Sequence, residues 1–98
     1  MKDPLQKEEN FPIITVIGKD TKGIVAQVST LLWEQDINIE EIKQGIIRGN
    51  FFMIMSVDIS GAKITFAKLS LDLKKLGAKI GLDINLYNKE VFTAINKI

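Results

Sequence analysis

The residues with the clearest capacity for chemistry lie in one short polar stretch, Gly18–Ile24, which reads Gly-Lys-Asp-Thr-Lys-Gly-Ile. The run before it, Ile13–Ile17, is unbroken and rich in β-branched side chains, as is typical of a strand inside a sheet. The run after it repeats its apolar residues with the 3.6-residue period of a helix. The change of period predicts a strand-to-helix elbow at Gly18–Ile24, with Asp20 or Thr21 as the helix N-cap.

The start of the predicted helix could bind a small anion. Its first main-chain N–H groups have no partner within the helix and lie at the positive end of the helix dipole. Gly23 carries no side chain, so a ligand can approach the backbone closely. A carboxylate is therefore a suitable ligand for the elbow. The same pattern is compatible with an ordinary capped helix start whose amides bind water, and the local residues leave both interpretations open.

Composition and charge exclude several classes of function. The 98 residues suffice for one compact domain with a real core. The formal net charge is +1, which gives no electrostatic footprint for nucleic acid or for an anionic membrane. The chain has no cysteine and no histidine, so it lacks disulfides and both the commonest metal ligand and the commonest general base. We expect no metal, no cofactor and a cytoplasmic protein.

Catalysis would have to use carboxylates, lysines, one tyrosine and hydroxyl groups. Glu40 and Glu41 are the only close acidic pair in the part expected to fold. Neighbouring strand residues point to opposite faces, so this pair is poorly placed for acid/base work unless a bulge makes the two converge. Ser29 and Ser56 lack a base, and no Walker-type phosphate loop is present. We therefore expect no catalytic residues and no enzyme.

The two ends of the chain differ from its middle. Residues 1–10 are polar, and we expect a flexible lead-in that is too polar for a signal peptide. Residues 11–88 carry the apolar patterns of the folded domain, and residues 89–98 are predicted to form a helical tail. The apolar side of this tail consists of Val91, Phe92, Ile95 and Ile98. No apolar run approaches the roughly 20 residues needed to span a bilayer.

Two helices are predicted within the domain. The first runs from Lys22 to Gln35. Its core side consists of Ile24, Val28, Leu31 and Leu32, with Val25 at the edge. Trp33 falls nearly opposite this side, and we expect it to contact a partner subunit rather than to lie flat on its own helix. The second helix follows the N-cap Thr65 and ends with Gly77 as its C′ residue.

Three further strands follow from alternating apolar residues. The second strand covers Asp36–Ile47, with a bulge at Glu40–Glu41 where the alternation changes phase. Arg48–Asn50 is a predicted hairpin turn that leads into the third strand, Phe51–Ser60. The last strand, Ile80–Tyr87, alternates cleanly between apolar and other residues.

The order of these elements predicts an α+β fold, a ferredoxin-like βαββαβ sandwich. It has a four-stranded antiparallel sheet with two helices on one face, plus a short C-terminal helix. The first and third strands are central, and their face away from the helices would expose a large apolar patch. We call this the far face; it consists of Ile13, Thr15, Ile17, Phe52 and Ile54. The chain's own tail helix, a partner's tail helix or a partner's sheet could cover it, and we expect a tail helix at or near a dimer interface.

Two stretches of the sequence resemble the ACT domain, a small-molecule-binding regulatory module of amino-acid metabolism. Gly18–Val25 looks like the family's elbow, and Leu32 with Ile37–Ile42 looks like its helix exit and second strand. The likeness covers Ile13–Leu86 and is closest to small standalone members, which are largely uncharacterised. The glycine-cleavage regulators are more distant relatives. Lys22 stands where many members have a proline, which would pre-set the first helical turn.

The resemblance implies both a function and a site. Family members that bind amino acids usually do so between two domains, where the elbow of one faces the second strand of the other. Carried over by position, the ligand-binding residues are Asp20, Thr21, Lys22, Gly23 and Ile24 of the elbow, and Asn38 and Ile39 of the strand. We therefore expect a regulatory module that senses a small molecule, namely an amino acid, at a homodimer interface. The protein that it regulates is not visible in the sequence.

Each implied contact has a physical reason. The amides of Gly23 and Ile24 could hold a carboxylate. Asp20 could pair with an α-ammonium group, and Asn38 could bond to either group. A simpler role is also open for Asn38, because asparagine commonly caps a turn.

Two other functions compete with this hypothesis. An RNA-recognition domain has the same order of elements and a basic-Gly-aromatic signature in its third strand. Here Arg48–Met55 places Phe52 at one stacking position but Asn50 at the other, and the surface is not basic. We interpret Phe52 as covered core and expect no nucleic-acid partner. A ligand-free module for dimerisation or protein interaction is the third hypothesis, which the sequence does not exclude.

Overall fold

The computed structural model describes residues 10–95, which form seven helices and strands. In chain order they are β1 (Ile13–Lys19), α1 (Ile24–Glu34), β2 (Asn38–Ile47), β3 (Asn50–Asp58), α2 (Phe66–Ile80), β4 (Leu82–Tyr87) and α3 (Lys89–Ile95). The predicted order of elements is confirmed. The predicted lead-in falls almost entirely outside the described residues, and so does Ile98 of the tail.

The four strands form one antiparallel sheet in the order β2-β3-β1-β4. The central positions of β1 and β3 and the ferredoxin-like architecture are therefore confirmed. The core consists of fully buried side chains from these two strands and from α1 and α2. They are Ile14, Val16, Met53, Met55, Val57, Val28, Leu32, Leu69 and Leu73. Burying one such side chain contributes about 1.5–3 kcal/mol. This core holds β1 and α1 in place and so positions the elbow between them.

Helix α1 begins later than predicted, and both predicted N-caps are wrong. The N-cap is Gly23, whose φ of 81° lies in the left-handed region that glycine adopts readily. Asp20 and Thr21 lie too early in the chain to cap the helix, because the reversal out of β1 is completed at Gly23 and the first helical residue is Ile24. Trp33 is 77% exposed, as its position opposite the core side predicts.

The hairpin of β2 and β3 contains the predicted bulge. The strand pairing shifts register between Ile39 and Glu41, which leaves Glu40 without a partner in β3. The connecting turn is shorter than predicted, because it consists of Arg48 and Gly49 alone. Both residues have positive φ, 52° and 79°, as a two-residue type I′ turn requires.

The start of α2 follows the prediction and its end does not. The Thr65 hydroxyl caps the helix by accepting a main-chain N–H of the first turn at 3.1 Å. The predicted C′ residue Gly77 lies inside the helix, which ends at Gly81 with a φ of 76°. Gly77 is glycine for a packing reason, since a Cβ there would approach the Leu82 carbonyl oxygen to 2.6 Å. Strand β4 consequently begins at Leu82 and not at Ile80.

Helix α3 does not cover the far face within one chain. The rings of Tyr87 and Phe92 lie 6.1 Å apart, which places the start of α3 beside the end of β4. No residue of α3 is buried. Ile17 and Ile54 at the centre of the far face are 53% and 39% exposed. The expected cover by a tail helix at or near a dimer interface stays a prediction.

Candidate functional site

The elbow between β1 and α1 is exposed at every residue from Lys19 to Gly23. Gly23 is exposed, and no side chain caps the helix start. The first helical hydrogen bond runs from the Gln27 N–H to the Gly23 carbonyl oxygen, at 2.9 Å. The N–H groups before Gln27 have no acceptor within the helix. They lie at the positive end of the helix dipole, and the first turn carries no acidic residue to offset it.

Charged residues flank these N–H groups in the sequence. Lys19 ends β1 and Lys22 directly precedes Gly23, and both lysines are exposed. Asp20 is exposed as well. Two lysines and one aspartate leave one net positive charge, which adds to the dipole and favours an anion such as a carboxylate.

Backbone conformation, and not lack of space, requires glycine at position 23. A Cβ added there would meet only the Nε2 of Gln27, at an ordinary 3.7 Å. The φ of 81° is what other residues adopt only with strain. Ile24 differs from the rest of the elbow, because its side chain is only 3% exposed and packs in the core. Its side chain is therefore not available to a ligand.

The strand residues of the predicted site, Asn38 and Ile39, lie far from the elbow of the same chain. Asn38 begins β2 and pairs with Asp58 at one end of β3. Lys19, beside the elbow, pairs with Asn50 at the other end of β3. Eight residues of extended strand separate these ends, a distance of about 26 Å. One chain does not bring the two halves of the predicted site together.

Asn38 lines an open depression that the sequence did not reveal. Its other lining residues are Trp33, Asp36 and Ile37, and its volume is about 340 Å³. The carboxylate of Asp36 lies 3.6 Å from the Nζ of Lys63, in an exposed ion pair. Asp36 and Lys63 meet only in the fold. The one sequence feature that could have pointed to this depression was the aspartate just after the C-cap of α1, a position where glycine is usual.

A second open groove, of about 370 Å³, separates α1 from α2. It is lined by Ala26, Gln27, Thr30, Leu31, Glu34, Leu76 and Lys79. The groove shares no residue with the predicted site. It does identify the flank of α1 that faces α2.

Within residues 10–95, no charged or polar side chain is fully buried, and no three acidic side chains converge as a metal site would require. Glu40 and Glu41 are both exposed on the edge strand. Among the helices of this same part of the chain, none is long and apolar enough to cross a membrane.

Comparison with known proteins gives consistent matches. The sequence profile of the ACT domain matches residues 10–87. A UPF0237 protein of Methanopyrus kandleri is 40% identical over 86 residues, which are 88% of this chain and 96% of that protein. An ACT domain protein from Streptococcus pneumoniae superposes with a TM-score of 0.74 and 35% identity, over 84% of this chain and 92% of that one. The ligand-free regulatory subunit of aspartate kinase from Thermus thermophilus gives 0.62 and 29%, over 82% of this chain and 52% of that one.

The matched region runs from the residues before β1 to the end of β4, so it includes the elbow and the start of β2. ACT domains are regulatory ligand-binding modules, and many of them sense amino acids. Because the profile, the relatives and the fold agree, this chain belongs to the ACT domain family.

Proposed function

We propose that this protein is a regulatory module that binds an amino acid at the interface of a homodimer. The separation of the two half-sites carries the proposal, since the elbow and Asn38 lie at opposite ends of one sheet. A second copy, turned end for end, can bring its Asn38 to the same end of a shared sheet as the elbow of the first. The site is then complete only in the dimer.

The free edge of β2 is the surface that supports such a dimer. β2 has ten residues and pairs with β3 on one side only. A long unpaired edge strand is a ready partner for another strand. On its helix-facing side β2 also exposes three isoleucines that neither helix covers, namely Ile39 at 37%, Ile42 at 41% and Ile46 at 59%.

One flank of α1 extends this apolar surface. Val25, Ser29 and Trp33 follow one another at four-residue spacing, so they lie on one side of the helix. The flank that includes Gln27 and Leu31 lines the groove against α2. Because α2 packs against β4 at the far edge of the sheet, the flank with Trp33 is turned toward β2. Val25, Ser29, Trp33 and the β2 isoleucines together form a surface suited to a second copy.

A two-fold axis normal to the sheet, placed beside β2, pairs the two β2 strands antiparallel. The start of one β2 strand then lies next to the end of the other. Asn38 of one subunit consequently shares an end of the continuous sheet with the elbow of its partner. The two-fold symmetry generates two equivalent sites in each dimer.

An α-amino acid matches the chemistry of this composite site. Its carboxylate would accept hydrogen bonds from the N–H groups of Gly23 and Ile24, close to Lys22. Its ammonium group needs an acidic partner, for which the elbow offers Asp20. The remaining lining residues are Thr21, Asn38 and Ile39. An aspartate kinase regulatory subunit shares the fold at 29% identity, which supports a regulatory role.

The ligand would act through the arrangement of the two subunits. A ligand can shift an equilibrium only by preferring one state, and this site takes groups from both subunits. Binding would therefore stabilise the subunit arrangement that closes the site. A regulated protein that contacts the dimer would respond to that arrangement.

A thermal-shift panel of the proteinogenic amino acids tests this function. At a ligand concentration of 100 Kd, binding adds about 2.7 kcal/mol to the stability of the folded protein, which raises Tm by about 10 °C or more. We expect one amino acid, or a few related ones, to produce this shift, and the matching acid without its ammonium group to produce none. A flat panel from a protein that light scattering shows to be dimeric would instead support the ligand-free dimerisation module.

A further inference from the structure

The open depression where α1 ends and β2 begins combines three kinds of recognition group. Its lining residues are Trp33, Asp36, Ile37 and Asn38. Trp33 is the only tryptophan of the chain, yet it is 77% exposed. An aromatic ring, a carboxylate and an amide therefore lie side by side at the surface.

Asp36 occupies a backbone position that favours glycine. It follows the C-cap Gln35 of α1 and has a φ of 57°. The Asp36 N–H donates to the Trp33 carbonyl oxygen at 3.1 Å, and the Ile37 N–H donates to the Leu32 carbonyl oxygen at 3.0 Å. Glycine is the usual residue in such a left-handed helix end, and aspartate also adds a negative charge to the negative end of the helix dipole. Ending the helix therefore does not account for this carboxylate.

The Asp36 carboxylate already accepts one ammonium group within the chain. The Nζ of Lys63 lies 3.6 Å from the Oδ2 of Asp36, and the two side chains are 62% and 63% exposed. An ion pair this exposed is weak, so another cation can replace the lysine. The lysine ammonium thus occupies a position that the ammonium group of a ligand could take.

Resting on the function proposed above, we infer that Asp36 and Trp33 bind the α-ammonium group of the ligand. The carboxylate of Asp36 pairs with its charge, and the indole of Trp33 offers a cation–π contact within about 6 Å. Asn38 supplies a further hydrogen bond. The ligand's carboxylate lies on the elbow amides of the partner subunit. The ligand class is therefore a zwitterionic α-amino acid whose two charged groups connect the two subunits.

This assignment places the ammonium group on Asp36 rather than on Asp20. Asp20 belongs to the same elbow as the N–H groups that bind the carboxylate. With Asp20 as its partner, the ammonium group would lie on the same subunit as the carboxylate, and only Asn38 and Ile39 would come from the other subunit. Asp36 lies beside Asn38, in the half-site that the other subunit supplies.

Two substitutions of Asp36 test the assignment, with Trp33 fluorescence as the readout because the chain has no other tryptophan. Asp36→Asn keeps a side chain that tolerates the left-handed backbone and removes the charge. We expect it to weaken binding of the amino acid found in the panel by about tenfold or more. Asp36→Gly should raise Tm by a few degrees, because it removes both unfavourable features of the helix end, and it should still lose the ligand response. A variant that is more stable and yet does not respond to ligand is what a binding residue predicts.

Matched variants separate this effect from a general loss of charge. Asp72 is also an ion-paired carboxylate, 2.6 Å from Lys68 on α2. Asp72→Asn should leave ligand affinity unchanged. Lys63→Gln removes the competing ammonium group and should tighten binding a few-fold. Unchanged binding by Asp36→Asn, or an equal loss in Asp20→Asn, would overturn the assignment and leave the proposed function standing.

A flat amino-acid panel would contradict the proposed function, and the depression can then be tested alone. The probe is ethylammonium chloride, compared with sodium chloride at equal ionic strength. A change in Trp33 fluorescence that only the alkylammonium ion produces, and that Asp36→Asn abolishes, supports a cation site. Equal responses from the wild-type protein and Asp36→Asn would overturn it.

Discussion

Gly23 allows the elbow to expose its N–H groups, because it makes the reversal out of β1 in a left-handed conformation. We expect Gly23→Val to lower the free energy of unfolding by about 1–2 kcal/mol through backbone strain. The dimer should persist, because Gly23 lies outside the β2 edge. The amino-acid-dependent rise in Tm should disappear, since the valine side chain stands beside the N–H groups that bind the carboxylate.

Gly81→Val is the matched control for this substitution. Gly81 also has a positive φ, 76°, and a Cβ there would meet no atom within 4 Å. It follows α2 on the β4 side of the sheet, away from β2, and only its carbonyl oxygen comes near the elbow, at Gly18. Its valine side chain would point into open space, so the variant should lose similar stability and keep its ligand response. An equal loss of response in both variants would show that strain, and not access to the N–H groups, causes the effect.

The sequence allowed Gly23 to be singled out but not its exact structural role. The switch from a strand pattern to a helix pattern locates the elbow to within a few residues. Which residue becomes the N-cap depends on how β1 and α1 pack, and that information is not local. Asp36 was missed for a related reason, because its ion-pair partner Lys63 joins it only in the folded chain and the depression that it shares with Trp33 and Asn38 forms only there.

At the scale of elements, the β2 edge decides how two copies meet. Ile46 is 59% exposed on the helix-facing side of β2. Ile46→Lys should scarcely change the stability of the monomer, because the side chain is exposed there. It should dissociate the dimer, because the new ammonium group would be buried at the interface without a partner. Size-exclusion chromatography with light scattering measures the result.

Ile17→Lys is the comparison variant, since Ile17 is 53% exposed on the far face. We expect this variant to remain dimeric. Dissociation caused by Ile17→Lys but not by Ile46→Lys would mean that the subunits meet through the far face, and the proposed composite site would then be wrong.

Features of the helices and strands were predicted well where a local sequence pattern determines them. They were predicted poorly where packing between elements determines them. The bulge in β2 follows from a change of phase in the sequence, and the register shift at Ile39 confirms it. Gly77 was taken as a helix end, because glycine is common there. In the fold it is a contact point against Leu82, and the helix continues to Ile80. No single-strand or single-helix pattern contains that contact.

At the scale of the whole molecule, the fold was predictable because several independent patterns agree. The unbroken apolar run of β1, the alternation in β3 and the helical periods of α1 and α2 together specify one sandwich. The sequence does not show how the unpaired surfaces are used. The β2 edge, the far face and α3 each leave apolar side chains exposed in the single chain. Their partners depend on assembly, which a pattern within one chain does not encode.

Mixing two inactive variants tests most directly whether two subunits share each site. Gly23→Val damages the elbow half and Asn38→Ala damages the strand half, so each variant alone should bind the amino acid much more weakly than the wild-type protein, and the ligand concentration is set so that these weakened sites stay empty. After exchange of subunits, half of the dimers are hybrids with one intact site each, and calorimetry should recover about one quarter of the wild-type sites. If the mixture of two dimeric variants binds no more ligand than either variant alone, each site lies within a single chain and the account is contradicted.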